Sequence, residues 1–124
     1  MKVTALAAAA VLLPLAAGCT TPFAGRDCTT DVRPAVSVQL RDARSGAALT
    51  GPATATARDG TYLDTQEIGA LDSDLRLAQE RPGVYEVAVR KQGYREWTRA
   101  GVRVRDGECH VRTVKLVAEL EPAA

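Results

Sequence analysis

Aromatic side chains are scarce in this 124-residue chain: one Trp, three Tyr and one Phe. Histidine is scarcer still, with His110 alone, and the only cysteines are Cys19, Cys28 and Cys109. No two cysteines stand at CxxC spacing, and two thiols with one imidazole do not complete a tetrahedral set, so no metal and no cofactor is expected. Ser37, Ser45 and Ser73 sit in no recognisable nucleophile motif, and His110 adjoins a cysteine, so it reads as a strand or surface residue rather than a base. Catalysis is therefore not expected. A sustained helical pattern is missing too. The nearest approach is Glu67 to Leu75, with Ile68, Leu71 and Leu75 spaced three and four apart, but Gly69, Asp72, Ser73 and Asp74 interrupt it, so this stretch reads as a loop with room for one helical turn.

One long apolar run is present, and it is at the start. Met1-Lys2 is followed by uncharged residues 3 to 17 and then Gly18-Cys19, the layout of a secretory signal peptide. As a helix the run would reach about 22 Å, short of the ~30 Å hydrocarbon core, so it reads as a leader over residues 1 to 18 rather than a permanent span. Leu15-Ala16-Ala17-Gly18-Cys19 resembles the bacterial lipobox, with Ala16 where Leu is usual. That resemblance implies cleavage before Cys19, acylation of its thiol (palmitate among the chains) and attachment to a lipid bilayer. Two or more acyl chains anchor stably where one binds only marginally. In lipoproteins of this kind an Asp after the Cys favours the inner membrane. Thr20 stands there, which implies an outer-membrane lipoprotein facing the periplasm of the bacterial envelope.

Removing residues 1 to 18 from 124 leaves 106, enough for one small domain. Loss of Lys2 leaves 15 bases and 15 acids, and zero net charge argues against nucleic-acid binding. The charges are segregated along the chain. Residues 59 to 80 hold Asp59, Asp64, Glu67, Asp72, Asp74 and Glu80 against Arg76 alone, whereas residues 90 to 115 hold eight bases against three acids. The favoured expectation is that these segments lie on neighbouring strands and pair. On opposite faces they would polarise the domain, and its basic side could meet lipopolysaccharide or phospholipid headgroups. Asp72-Ser73-Asp74 could be offered to a divalent cation, but without the Gly and terminal Glu of an EF-hand loop it reads as a solvated acidic loop.

With Cys19 taken by lipid, Cys28 and Cys109 are the expected disulfide of an oxidising compartment. It would close a loop of about 80 residues, worth about 4 kcal/mol in the chain-entropy model. Residues 19 to 34, with Pro22, Gly25, Asp27, Asp31 and Pro34, read as anchor and linker. Nine residue steps separate Cys19 from Cys28, about 30 Å at full extension, so the tether is short.

From residue 35 to 121 the pattern has period two. Val36, Val38 and Leu40 alternate with Ser37 and Gln39; Ala and Thr alternate over residues 52 to 58; Tyr85, Val87 and Val89 share one face. Leu75 and Leu77 mark a strand, residues 94 to 104 another, and residues 109 to 120 the last. Within it Cys109 and Val111 have the opposite parity to Val114, Leu116, Ala118 and Leu120, which predicts a bulge near Arg112-Thr113. About seven short strands between turns such as Arg44-Ser45-Gly46 and Arg58-Asp59-Gly60 predict an all-β fold, a small antiparallel sandwich. If the first and last strands run parallel, Cys28 and Cys109 start close together.

Val36-Ser-Val-Gln-Leu-Arg-Asp-Ala-Arg-Ser-Gly46, Arg81-Pro-Gly-Val-Tyr-Glu-Val-Ala-Val-Arg-Lys-Gln-Gly-Tyr94 and Gly107-Glu-Cys-His-Val-Arg-Thr-Val-Lys-Leu116 resemble the opening, Gly-x-Tyr-x-Val and closing strands of the carboxypeptidase regulatory-like, prealbumin-type domain. The resemblance implies prealbumin-like or Ig-like topology and a non-catalytic accessory role in a secreted or surface protein. Hydroxyisourate hydrolases share the prealbumin-like fold, but they use several histidines and a C-terminal Tyr-Arg-Gly-Ser. This chain has one His and ends Leu120-Glu-Pro-Ala-Ala124. The remaining candidate surface is Tyr94 and Trp97 with Arg95 and Arg99, either a contact patch for an envelope protein or glycan or two rings capping the core. A binding or structural module is expected, with an enzyme or enzyme accessory of unrecognised site as the alternative. A polar pocket converging on His110, Arg and carboxylates would favour the alternative.

Overall fold

The computed structural model describes residues 28 to 124; the leader and Cys19 lie outside the described residues. Eight strands follow in order: β1 Pro34–Asp42, β2 Ala48–Leu49, β3 Ala53–Asp59, β4 Tyr62–Ile68, β5 Asp74–Gln79, β6 Gly83–Arg90, β7 Trp97–Val104 and β8 Val114–Leu120. They form two four-stranded sheets, a small β-sandwich as expected. In the first, β8 runs parallel to β1 from Val36 opposite Val114 to Asp42 opposite Leu120. β5 pairs antiparallel with Pro34 to Gln39, and β2 with Leu40 and Arg41. Because β8 occupies one edge of β1 along that whole length, β5 and β2 share the other edge end to end. The second sheet has the order β4-β3-β6-β7, all antiparallel.

Alternation places the core. Val36, Val38 and Leu40 from β1, Leu75 and Leu77 from β5 and Leu116, Ala118 and Leu120 from β8 meet Ala53, Ala55 and Ala57 from β3 and Tyr85, Val87 and Val89 from β6. No charged residue is buried among the described residues, and the hydroxyl of fully buried Tyr85 is offset by bonds to Arg81. Gly60, at φ +58°, is the first of the two residues between Asp59 and Tyr62, the position at which a type II′ hairpin requires glycine.

Four expectations are corrected. The last strand starts at Val114, not near Cys109, and there is no bulge at Arg112-Thr113. Val111 instead pairs with Asp106 in an isolated bridge and is buried from a loop, which accounts for its parity. The strand expected from Tyr94 begins at Trp97; Tyr94 bridges Pro122. The stretch read as a loop from residue 67 keeps Glu67 and Ile68 in β4, and the connection to β5 is only residues 69 to 73.

The charged segments do not pair across neighbouring strands. β4, with Asp64 and Glu67, and β7, with Arg99 and Arg103, are opposite edges of the second sheet. The acids are answered elsewhere: Asp59 by Arg81 at 3.1 Å, Asp64 by the Ala78 N–H at 2.8 Å, Asp74 by the Ser37 hydroxyl at 2.6 Å and Asp72 by the Gly69 N–H at 3.2 Å. Spread over separate partners, Asp64, Asp72 and Asp74 do not converge on one point. No group of three metal-ligating side chains occurs among the described residues.

Candidate functional site

Because β1 and β8 are parallel, both enter the sandwich at one pole, and the segments preceding them meet there. Cys28 and Cys109 are bonded with Cα atoms 5.2 Å apart. The end of β5 arrives at the same place with Ala78 at φ +54° and Glu80 at φ +52°. Left-handed backbone at a non-glycine residue costs about 1–2 kcal/mol, and here it directs the Glu80 carboxylate between two segments. It accepts from the Arg33 N–H at 2.9 Å, pairs with His110 Nδ1 at 2.5 Å and accepts from the Val111 N–H at 3.3 Å. The Glu80 N–H returns a bond to the Arg33 carbonyl at 2.8 Å. The Arg33 N–H, and then His110, hold the Glu80 carboxyl below its ordinary value, outweighing desolvation.

His110 is only 12% exposed. Its Nε2 lies 2.9 Å from Thr29 Oγ1 and 3.6 Å from Asp31 Oδ1. With Nδ1 donating to Glu80, a neutral ring accepts the Thr29 hydroxyl proton, and a protonated ring donates on both sides. Glu80, His110 and Thr29 thus form an acid, imidazole and hydroxyl series. Thr29 and His110, though not Glu80, border an open concavity of about 610 Å³ also lined by Arg33, Glu108, Arg112 and Lys115. The series has the connectivity of a nucleophile activated by a buttressed base. Its other bonds describe a clamp: Glu80 is shared among three donors, and Thr29 stands one residue from the disulfide.

Residues 28 to 33, expected as linker, are therefore held at Cys28, Thr29 and Arg33, and Pro34 already belongs to β1. The other sequence candidates are at the far pole and along one flank. The Arg99 guanidinium lies 5.1 Å from the Trp97 ring centre, in cation–π range. Trp97 and Tyr94 both pack half-buried against the core, as ring caps would. The Tyr94 hydroxyl donates to Asp42 at 2.9 Å, which keeps the phenol protonated above its ordinary range. The Arg95 backbone N–H bonds the Glu121 carbonyl. Of the four, Trp97 and Arg99 are joined to each other, and the Tyr94 hydroxyl is committed to Asp42 of β1.

Sequence reasoning missed Glu80 and Arg81. Arg81 lies 3.9 Å over the Tyr62 ring and donates to the buried Tyr85 hydroxyl at 3.0 Å, and that hydroxyl donates to the Arg81 carbonyl at 2.6 Å. Arg81-Pro82-Gly83 reads as a turn, and nothing in a Gln-Glu-Arg string signals left-handed backbone. The Gly-x-Tyr pattern was the available signal that a hydroxyl needed a partner nearby. Compared with known protein families and with curated proteins, the chain matches none.

Proposed function

We propose that this chain is a bacterial lipoprotein, lipidated at Cys19, whose carboxypeptidase regulatory-like sandwich acts as a non-enzymatic binding or structural module of the cell envelope. The observation that carries the reading is Leu15-Ala16-Ala17-Gly18-Cys19 at the end of an uncharged apolar run. The Cys28–Cys109 disulfide supports it, because such bonds persist in oxidising compartments. Thr20 points to the outer membrane, facing the periplasm, with another envelope protein or a glycan as the partner class. The test is Cys19→Ala in cells supplied with labelled palmitate. The expected result is loss of label, uncleaved leader or release from the membrane fraction. A Cys19→Ala chain that stays membrane-bound and normally processed overturns the reading.

The Glu80–His110–Thr29 series favours a second reading, a hydrolase with Thr29 as nucleophile. It requires that Thr29→Ala abolish turnover of an activated ester while leaving thermal unfolding nearly unchanged. The clamp role gives the opposite split: a lower melting temperature and the same background hydrolysis.

A further inference from the structure

We propose that the disulfide pole is a docking surface for anionic phospholipid headgroups of the bilayer to which the chain is tethered. Arg33, Arg112 and Lys115 line one concavity there, and all three are exposed. The Arg112 N–H bonds the Arg105 carbonyl at 2.9 Å, which places Arg105 beside it, and Arg103 lies two residues back near the end of β7. Several acids of this pole are already engaged. Asp31 pairs with Arg33 at 3.2 Å, Asp59 with Arg81 at 3.1 Å, and Glu80 is shared by Arg33, His110 and Val111. Asp106 and Glu108 lie there as well, so the pole is positive by excess and not uniformly. No ion pair within hydrogen-bonding range joins Arg103, Arg105, Arg112 or Lys115 to another described residue.

The orientation follows from the chain path. Cys28 belongs to this pole, and nine residue steps, about 30 Å at most, separate it from Cys19. This half of the argument rests on the anchoring reading; the charge arrangement does not. A tether that short brings the basic pole within reach of the surface, where each Lys or Arg gains about 1 kcal/mol against anionic lipid within a Debye length of ~8 Å. At the opposite pole Arg90 pairs with Glu96 at 3.2 Å, and Asp42 and Glu121 lie among Arg41, Arg44, Lys91 and Arg95.

The probe is a set of vesicles, phosphatidylcholine alone or equimolar with phosphatidylglycerol, cosedimented with the mature chain begun at Thr20 and carrying no lipid. All core residues lie between Ala35 and Leu120 and the disulfide between Cys28 and Cys109, so that chain keeps the whole folded unit. Binding is expected to the anionic vesicles only, to vanish in 1 M salt, and to weaken about fivefold for each of Arg105→Ala, Arg112→Ala and Lys115→Ala. Arg41→Ala with Arg44→Ala should leave it unchanged, and circular dichroism should show every variant folded. Equal binding to both vesicles, no binding, or equal loss from the opposite-pole variants overturns the proposal. Displacement by inorganic phosphate beyond that by chloride of equal ionic strength also overturns it, marking a small-anion pocket. Because no lipid is attached, failure here leaves the Cys19 reading to its own palmitate test.

Discussion

At Glu80 the backbone is left-handed although the residue is not glycine, and the carboxylate that this conformation presents carries a pH dependence. Its folded pKa lies below the ordinary 4.5 because the ionised form accepts from the Arg33 N–H and meets His110. Asp42 behaves alike at the far pole, lowered below 3.8 by the Ser45 N–H first and then by the Tyr94 hydroxyl. A depressed carboxylate stabilises the fold above its unfolded pKa, and that stability is lost as pH falls through the folded value. Unfolding by urea should thus become easier below about pH 4.5. Glu80→Gln should flatten part of that acid limb while lowering stability at pH 7. Tyr94 has the opposite sign. Its raised pKa means that the neutral hydroxyl stabilises below pH 10, a contribution lost as pH rises through the folded value. Tyr94→Phe should remove that alkaline component, seen as an alkaline melting curve that no longer steepens.

Among the strands, β1 shows what alternation can reveal and where it stops. Val36, Val38 and Leu40 announce a half-buried strand, and the structure buries all three. The same period located β3, β5 and β6, because each presents one apolar face to a single core. It failed at β8, where two parities along residues 109 to 120 fit either a bulged strand or a loop that folds back. The Asp106–Val111 bridge chose the second, and a single bridge between positions five apart along the chain contains no alternating run to leave a periodic trace. The polar clamp was illegible for a related reason: Glu80 gains its partners from two other segments, and only the parallel pairing of β1 with β8 brings those together. Alternation does identify which side chains carry the packing. Leu77 is fully buried and lies across from Ala-rich β3, whose methyls cannot extend to refill its space. Leu77→Ala should therefore lie toward the upper part of the usual 2–5 kcal/mol, measured by urea unfolding. Val84→Ala, on the outer face of β6 and 47% exposed, should cost far less.

For the molecule as a whole, the two poles are closed differently. The far pole relies on the Tyr94–Asp42 bond and on the C-terminal residues, where the Ala123 N–H bonds the Gly93 carbonyl. The near pole joins segments 81 residues apart through one covalent bond and the Glu80 clamp. Replacing both Cys28 and Cys109 by Ser releases that loop in the unfolded chain, which costs about 4 kcal/mol by the entropy model. Because the effect acts on the unfolded state, the urea m-value should rise as the denatured ensemble expands. The clamp makes a further, sharper expectation. With the disulfide intact, Glu80→Gln loses bonds between segments that cannot separate. Without the disulfide, the same substitution frees residues 28 to 33 from the loop at His110, and the ends of β1 and β8 fray together. The two changes should then be non-additive, with the clamp worth more once the cysteines are gone. A double-mutant cycle of Glu80→Gln against the paired serines, read by urea unfolding, measures that coupling. Faster amide exchange at Glu80 and Val111 in the serine variant would place the coupling at this pole; simple additivity would mean that the clamp and the disulfide act on the fold independently.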